Sequence, residues 1–255
     1  MTVTVAATCT ACGMCIATCP ERALSPARHR PAVDDARCTD CLACLEVCPV
    51  DAIVPIDPAG VHPIETESYR RMQEHVDFSA WPPGARDVVA RMVHATADET
   101  FAETARIGER AVAAAVDALR AGAPVVCDAR MVVAGIPSVP GAVCLLGEVG
   151  EAAEGDTRSA AAVRLAAERY PDGALWVVGN APTALAALLA LCDAGRVRPA
   201  AVVGLPVGYV GAAEAKEALW RGPLRPVAIT NAGRRGGSPV AAGAVNALAR
   251  LARRT

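Results

Sequence analysis

Short runs of apolar residues alternate with longer amphipathic segments over most of the chain after residue 63. The apolar runs predict buried strands at 124–128, 142–146, 174–180, 200–204 and 227–230. The segments around them predict helices at 64–76, 85–93, 105–120, 159–170, 183–193, 212–220 and 239–253. Near-continuous apolar strands that alternate with helices are typical of parallel sheets covered on both faces. We therefore predict an α/β domain with a doubly wound, mostly parallel sheet and helices on both faces.

The first 60 residues follow a different pattern, in which two short β-type stretches enclose a cysteine repeat. Residues 3–5 and 53–56 are predicted to pair as strands, which indicates a small α+β domain. The segment 57–63 contains two prolines and a glycine and is typical of a linker. The predicted domains are therefore 1–60 and 61–255.

Composition and charge exclude several classes of protein. Apolar residues make up 53% of the chain but aromatic residues only 3%, so the core has to consist of Ala, Val and Leu. The net charge of −2 gives no electrostatic case for nucleic acid or anionic membranes. Lys216 is the only lysine, and arginines supply nearly all the positive charge. Residues 1–8 lack the features of a signal peptide, and no apolar run could span a bilayer. We expect a cytoplasmic protein.

Eight of the eleven cysteines form two copies of one motif, Cys-x2-Cys-x2-Cys-x3-Cys-Pro. The cysteines of the motif are Cys9, Cys12, Cys15, Cys19, Cys38, Cys41, Cys44 and Cys48. This spacing is similar to that of bacterial ferredoxins with two [4Fe–4S] clusters. Two structural zinc sites are the alternative, but zinc sites usually separate their cysteine pairs more widely. The resemblance implies that Cys9, Cys12, Cys15 and Cys48 hold one cluster, and the other four cysteines hold the second.

Polar or glycine-rich loops follow the predicted strands at 128–130, 179–183, 204–208 and 231–238, and a helix starts at 157–159. Because parallel sheets bind ligands beyond the carboxyl ends of their strands, we expect a rim that binds anions there. Each loop taken alone could be an ordinary turn. The candidate binding residues are Arg130, Thr157, Arg158, Ser159, Asn180, Thr183, Arg234, Arg235 and Ser238.

His94 is the candidate for proton transfer. The helix predicted before it has an apolar stripe of Val88, Val89, Met92 and Val93. His94 lies off that stripe, beside Asp87 and Arg91, and histidine titrates near neutral pH. A surface or helix-capping histidine is the alternative interpretation. No nucleotide-binding glycine motif or hydrolase elbow is present, and no second histidine lies near His94 in the sequence to support a metal site.

Eight stretches after residue 63 resemble the precorrin-8X methylmutase family of corrin biosynthesis, in the order found in that family. They are 64–70 (IETESYR), 91–98 (RMVHATAD), 122–135 (GAPVVCDARMVVAG), 157–161 (TRSAA), 179–185 (GNAPTAL), 204–211 (GLPVGYVG), 233–238 (GRRGGS) and 246–248 (NAL). Two departures are visible: Ala97 stands where the family often has glycine, and the segment 136–156 is shorter than usual.

This resemblance implies an isomerase that moves a methyl group from C-11 to C-12 of precorrin-8X or cobalt-precorrin-8, giving hydrogenobyrinate or cobyrinate. It also implies a homodimer with active sites near the subunit interface, and it places the essential histidine of the family at His94. A methyl shift within one conjugated ring needs no redox cofactor. A single histidine that shares a proton with a ring nitrogen would suffice.

The predicted clusters have no evident role in that reaction, because isomerisation moves no net electrons. One hypothesis is that the ferredoxin-like domain donates electrons to a redox partner in the same pathway. The alternative function is a corrinoid-binding electron-transfer protein without isomerase activity. A ferredoxin-dependent reductase is a third possibility, but the sequence has no visible flavin or nicotinamide motif.

Overall fold

The structure is a computed structural model that describes residues 2–34, 36–39, 41, 43–56 and 63–253. The chain divides into two compact units, Met1–His75 and Val76–Thr255. The linker and the domain boundary predicted near residue 60 lie outside the described residues. Helix Pro63–His75 belongs to the first unit, although we expected it to begin the second domain. The limits of the two domains therefore stay a prediction.

The first unit is small and contains both helices and strands. Its elements are β1 (Thr2–Val5), α1 (Met14–Thr18), β2 (Leu24–Ser25), β3 (Ala32–Val33), α2 (Ala43–Glu46), β4 (Ile53–Ile56) and α3 (Pro63–His75). Strands β1 and β4 pair antiparallel, with Thr2 opposite Ile56 and Val5 opposite Ile53, which confirms the predicted pairing. Val3, Val5 and Leu24 are buried together with Cys15 and Cys44, so the short helices pack their cysteines towards this core.

The second unit is built on one five-stranded sheet. Its strands are β5 (Ala105–Ile107), β6 (Val125–Cys127), β7 (Leu175–Val178), β8 (Ala201–Gly204) and β9 (Ala228–Asn231). The spatial order is β5-β9-β8-β7-β6, with β5 antiparallel to β9 and every other pair parallel. Every residue of β6 to β9 is buried. This confirms the mostly parallel sheet.

Helices cover both faces of this sheet, as predicted. One group comprises α8 (Arg158–Arg169), α9 (Pro182–Asp193) and α10 (Ala212–Arg221). The other group comprises α4 (Pro83–Thr96), α6 (Ala111–Arg120), α7 (Arg130–Gly135) and α11 (Ser238–Arg253), with a short helix α5 (Thr100–Thr104) after α4. Helix α11 packs against α4, α6 and α7. Within the described residues, no helix combines the length and the apolar character needed to cross a bilayer.

Two predicted elements were wrong. The segment 105–120 is not one helix, because Ala105–Ile107 pairs with β9 and Gly108 separates it from α6. A Cβ on Gly108 would lie 2.0 Å from the Arg225 carbonyl oxygen, so the chain passes close to the backbone of residues 225–226 there. The segment 142–146 is not a strand. Val143 makes one bridge to Val126, and a 3₁₀ turn follows at Leu145–Gly147.

Candidate active site

His94 lies in the last turn of α4, on the side predicted from the sequence. The helix buries Val88, Val89, Met92 and Val93, while His94 is half-buried. The helix ends at Thr96, whose hydroxyl donates to the Met92 carbonyl oxygen at 2.9 Å, and Ala97 then adopts a left-handed conformation. The end of α4 therefore fixes the backbone next to His94.

Helix α11 holds the end of α4 through a close contact at Gly243. A Cβ on Gly243 would lie 3.0 Å from the Ala95 Cβ and 3.1 Å from the Arg91 carbonyl oxygen. Only glycine lets the two backbones approach this closely without displacing one of them. The position of His94 is thereby tied to α11, which begins at the carboxyl end of β9.

Arg235, in the loop between β9 and α11, connects that loop to the segment that follows His94. Its guanidinium donates to the carboxylate of Asp98 and, at 3.1 Å, to the hydroxyl of Thr100. Asp98 also accepts from the Thr100 hydroxyl at 2.6 Å and from the Thr100 amide at 3.1 Å. Partial burial opposes ionisation of Asp98, but the hydrogen bonds from Thr100 and Arg235 outweigh it and hold the pKa of the carboxyl below its usual value. Neither Asp98 nor Thr100 was among the site residues predicted from the sequence.

Asp128 organises the loop after β7. It directly follows β6, is only 4% exposed, and accepts hydrogen bonds from the amides of Gly179, Asn180 and Ala181 at 2.8 to 2.9 Å. Burial raises the pKa of the Asp128 carboxyl, and the three amides oppose that rise. These amides lead into α9, and we expected them to be open to an anionic ligand. Asp128 occupies them instead.

Two of the predicted hydroxyl residues meet where α8 and α9 begin. The hydroxyl oxygens of Thr157 and Thr183 are 2.8 Å apart, and both residues are exposed. Thr157 also accepts from the Ala160 amide at 3.2 Å, which makes it the N-cap of α8. Ser159 is half-buried in the first turn of α8, and Ser238 is buried at the start of α11.

Besides Arg235, two more of the predicted arginines bind the chain itself. Arg158 donates to the carbonyl oxygens of Leu146 and Val149 at 3.1 and 3.3 Å. The guanidinium of Arg130 lies against Gly147, where an added Cβ would be 2.1 Å from Nη2. Both side chains therefore support the segment around the 3₁₀ turn, a role that the sequence did not predict.

Arg234 lies at the exposed rim of the sheet, beside the loop after β8. Its guanidinium stacks on the ring of Tyr209 at 4.9 Å, and Tyr209 is 86% exposed. The Arg234 carbonyl oxygen accepts from the Gly208 amide at 3.2 Å, which joins the loops after β8 and β9. Asn180 is exposed at the end of β7, and its carbonyl oxygen faces the Val207 amide. Arginine, aromatic and amide groups therefore share this edge.

Lys216 was noted in the sequence only as the sole lysine, but the structure buries it beneath the loop after β9. It is 1% exposed, and its Nζ donates to Asn231 Oδ1 at 3.0 Å and to the Arg235 carbonyl oxygen. Burial lowers the pKa of Lys216 to about 8. The only sign of this burial in the sequence is the position of Lys216 on the apolar face of the amphipathic helix α10, which faces the core.

The cysteine motifs have features that fit iron–sulfur clusters. Backbone amides of Ala11, Ala23 and Ala52 donate to the sulfur atoms of Cys9, Cys19 and Cys48 at 3.1 to 3.3 Å. Such hydrogen bonds stabilise thiolate ligands and tune cluster potentials. One cavity is lined by all four cysteines of the predicted second set, Cys19, Cys38, Cys41 and Cys44. Among the described residues, no three His, Cys, Asp or Glu side chains are arranged to hold a single metal ion.

Comparison with known families gives a match for each part of the chain. A family model described as precorrin-8X methylmutase matches residues 63–251. A second model, described as a 4Fe-4S dicluster domain, matches residues 8–52. The two matches cover separate stretches of the chain.

Individual relatives agree with the longer match. A precorrin-8X methylmutase of Pseudomonas aeruginosa is 39% identical over 195 residues, which are 73% of this chain and 93% of that protein. A cobalt-precorrin-8 methylmutase of Methanothermobacter thermautotrophicus is 42% identical over 181 residues, covering 69% of this chain and 85% of that protein. The solved structure of a precorrin-8X methyl mutase from Thermus thermophilus superposes with a TM-score of 0.68 at 41% identity, covering 74% of this chain and 95% of that one.

Proposed function

Because the chain belongs to the precorrin-8X methylmutase family, we propose that it moves a methyl group from C-11 to C-12 of precorrin-8X or cobalt-precorrin-8. The bond from C-11 to the methyl carbon breaks, and a bond from C-12 to the same carbon forms. No net electron or proton enters or leaves the substrate, so the enzyme is an isomerase. The product is hydrogenobyrinate, or cobyrinate if the substrate contains cobalt.

His94 supplies the proton that makes this shift feasible. Protonation of a ring nitrogen makes the conjugated ring electron-poor, which favours migration of the methyl group, and the proton returns to His94 afterwards. A proton donor held in place contributes about 10²–10⁴-fold to a rate. The observation that carries this proposal is the position of His94. It is half-buried and lies off the apolar face, at the end of α4 that packs against Gly243 of α11.

The acetate and propionate groups of the substrate bind the rim of the sheet. Arg234 and Arg235 have exposed guanidinium groups there, and arginine pairs with carboxylates through two parallel hydrogen bonds. Asn180 and the Thr157–Thr183 hydroxyl pair add neutral hydrogen bonds. Arg130 and Arg158 already contact the segment 146–149, so their main effect is to shape that segment.

The enzyme works as a homodimer, as the family resemblance implies, and we place it in the cytoplasm. A dimer places a second copy of the rim near each active site. Sedimentation of the purified protein at several concentrations measures its mass, and a stable monomer would contradict this part of the proposal.

The N-terminal motifs hold two [4Fe–4S] clusters that serve a different reaction. When bound, these clusters supply one-electron transfer, which the methyl shift does not need. The match to the Pseudomonas relative covers 93% of that protein but leaves about a quarter of this chain unmatched. The methylmutase family model begins only at residue 63. The methyl shift therefore needs only the later part of the chain, and the cysteines of the two motifs would hold clusters able to supply electrons to a redox partner in the same pathway.

A single-turnover absorption assay under anaerobic conditions tests the isomerase. The wild type and His94→Ala are each mixed with precorrin-8X and, separately, with cobalt-precorrin-8. We expect the wild type to convert one of them, and His94→Ala to bind it but convert it at least about 100-fold more slowly. His75→Ala, at an exposed position on α3, is the control and should match the wild type. Near-normal turnover by His94→Ala would remove the histidine from the mechanism. Binding without conversion by the wild type would favour the corrinoid-binding electron carrier.

A further inference from the structure

Lys216 is buried in a way that needs an explanation. Ordering and burying a lysine costs free energy unless its amino group finds partners, so lysines are rarely fully buried. This lysine lies in the second turn of α10 and is 1% exposed. Its Nζ donates to the side chain of Asn231 and to the backbone carbonyl oxygen of Arg235. Asn231 is the last residue of β9, and Arg235 lies in the loop that joins β9 to α11.

Buried side chains anchor that loop at the backbone of Arg235. Asn231 is fully buried, and its Nδ2 donates to the carbonyl oxygens of Ala232 at 3.0 Å and Arg235 at 3.1 Å. The Arg235 carbonyl oxygen therefore accepts from both Asn231 and Lys216. On the next residue, Gly236, an added Cβ would lie 2.3 Å from the Leu205 carbonyl oxygen, so the loop has no room to shift in that direction.

The side chain of Arg235 reaches Asp98 and Thr100, just beyond His94. The Arg235 side chain is 62% exposed, and ion pairs at such exposed positions contribute little to stability. A pair that weak does not by itself hold a flexible arginine in one direction. Its orientation depends on a backbone that is already fixed, and Lys216 and Asn231 fix it.

We propose that Lys216 is a positioning residue for the methyl-transfer site and acts through Arg235. By holding the Arg235 carbonyl oxygen, it directs the guanidinium towards the Asp98–Thr100 segment next to His94 and towards the carboxylates of the substrate. This inference rests on the proposed function for its catalytic part. The anchoring of the loop is a separate claim that can be measured without any turnover.

A double-mutant cycle in the full-length protein with its clusters tests the catalytic part. Lys216→Met keeps an unbranched apolar side chain but removes the donor. We expect it to raise KM about tenfold, the effect of one lost hydrogen bond, and to change kcat much less. Arg235→Ala should raise KM by at least as much. Because Lys216 acts through Arg235, the double variant should be no worse than Arg235→Ala alone. Glu214→Gln, at an exposed position on the same helix, is the control.

Hydrogen exchange of backbone amides tests the anchoring. The Gly208 amide donates to the Arg234 carbonyl oxygen and the Gly237 amide to that of Leu205, so both report on the loop. We expect both amides to exchange at least about tenfold faster in Lys216→Met, because the anchor of the loop is lost. If Lys216→Met does not fold, Lys216→Gln, which keeps one donor group, should show smaller changes of the same kind.

Additive effects in the cycle, or an unchanged KM in folded Lys216→Met, would overturn the positioning role. Unchanged exchange of the two amides would overturn the anchoring. If the wild type lacks isomerase activity, the catalytic part fails together with the proposed function. Faster exchange in Lys216→Met would still establish that Lys216 holds the loop, so the two failures can be told apart.

Discussion

Ala97 carries backbone strain next to the candidate catalytic residue. It ends α4 with φ of 50° and ψ of 31°, the left-handed region, in which every residue with a Cβ is disfavoured. The Thr96 hydroxyl donates to the Met92 carbonyl oxygen at 2.9 Å and accepts from the Asp98 amide at 3.3 Å, and these hydrogen bonds keep the chain in this turn. Strain of this kind persists only where nearby interactions fix the backbone.

Replacing Ala97 with glycine should relieve the strain. We expect Ala97→Gly to raise the free energy of unfolding by about 1 kcal/mol. Urea unfolding followed by tryptophan fluorescence measures it, because Trp81, Trp176 and Trp220 all belong to the second unit. Ala90→Gly, in the interior of the same helix, should lower the same free energy by about 1 kcal/mol. If Ala97→Gly lowered the free energy of unfolding as much as Ala90→Gly does, Ala97 would not be strained.

Lys216 gives the stability of the second unit a dependence on pH. Burial lowers the pKa of Lys216 to about 8 from its ordinary value of 10.5, so between these two pH values the unfolded chain binds more protons than the folded one. Stability therefore rises as the pH increases through that window, by up to about 3 kcal/mol from this residue. A neutral amine still has two N–H groups for its two acceptors.

This dependence can be isolated by comparing variants. Urea unfolding at pH 7.5 and at pH 10 should show a larger gain at high pH for the wild type than for Lys216→Met, which has no group to titrate. The difference between the two gains is the relevant quantity, because other groups also titrate. Equal gains would mean that the amino group of Lys216 is not desolvated in the folded protein.

At the scale of elements, the contact of α4 with α11 sets the position of His94. Gly243 lets the helices approach until an added Cβ would be 3.0 Å from Ala95. Since Ala95 follows His94 directly, a larger residue at 243 displaces the part of α4 that carries the histidine. Stability and catalysis therefore depend on the same contact.

Gly243→Val tests this coupling. We expect a loss of about 1–3 kcal/mol in the free energy of unfolding from overpacking, and a fall in kcat of about tenfold or more from misplacement of His94. Thermal unfolding and the single-turnover assay measure the two effects. Gly150→Ala is the control, because nothing lies within 4 Å of its added Cβ. A normal kcat in a destabilised Gly243→Val would separate the helix contact from catalysis.

At the scale of the whole molecule, the chain combines two units with unrelated chemistry. One fits electron transfer, while the other belongs to a family whose reaction moves no net electrons. The fusion places a 4Fe-4S dicluster domain on the same chain as the methylmutase domain. This supports a role for the clusters in a reaction of the same substrate or product, and not in the methyl shift itself.

Removal of the clusters from the full-length chain should therefore spare isomerisation. We expect the double variant Cys12→Ser and Cys41→Ser to lose the visible absorbance of the clusters, to keep methyl transfer within about twofold of the wild type, and to lose electron donation to a pathway reductase. Both residues are exposed, so little packing is lost. Cys192→Ala, outside the motifs, should change none of these. Loss of methyl transfer along with the clusters would instead indicate a structural or regulatory role for them.

Patterns within short stretches of the sequence determined much of the fold and the cluster motifs of this protein. The spacing of the cysteines identified the cluster motifs, and the apolar periodicity placed β6 to β9, most helices and the polar side of α4 that carries His94. These features are local, because burial of a strand or a helix face leaves a repeating pattern within a few residues.

Only the tertiary structure decided which groups are partners across long stretches of chain. Ala105–Ile107 became a strand because β9 offered an edge, although its own sequence also suited a helix. Asp128 accepts hydrogen bonds from the amides after β7, and Arg158 donates to carbonyl oxygens before α8, which are pairings that the sequence did not predict. The hydrogen bond from Lys216 to the Arg235 carbonyl oxygen likewise depends on how α10 packs against the loop after β9. Periodicity records that a residue is buried, but the identity of its partner depends on how distant elements pack.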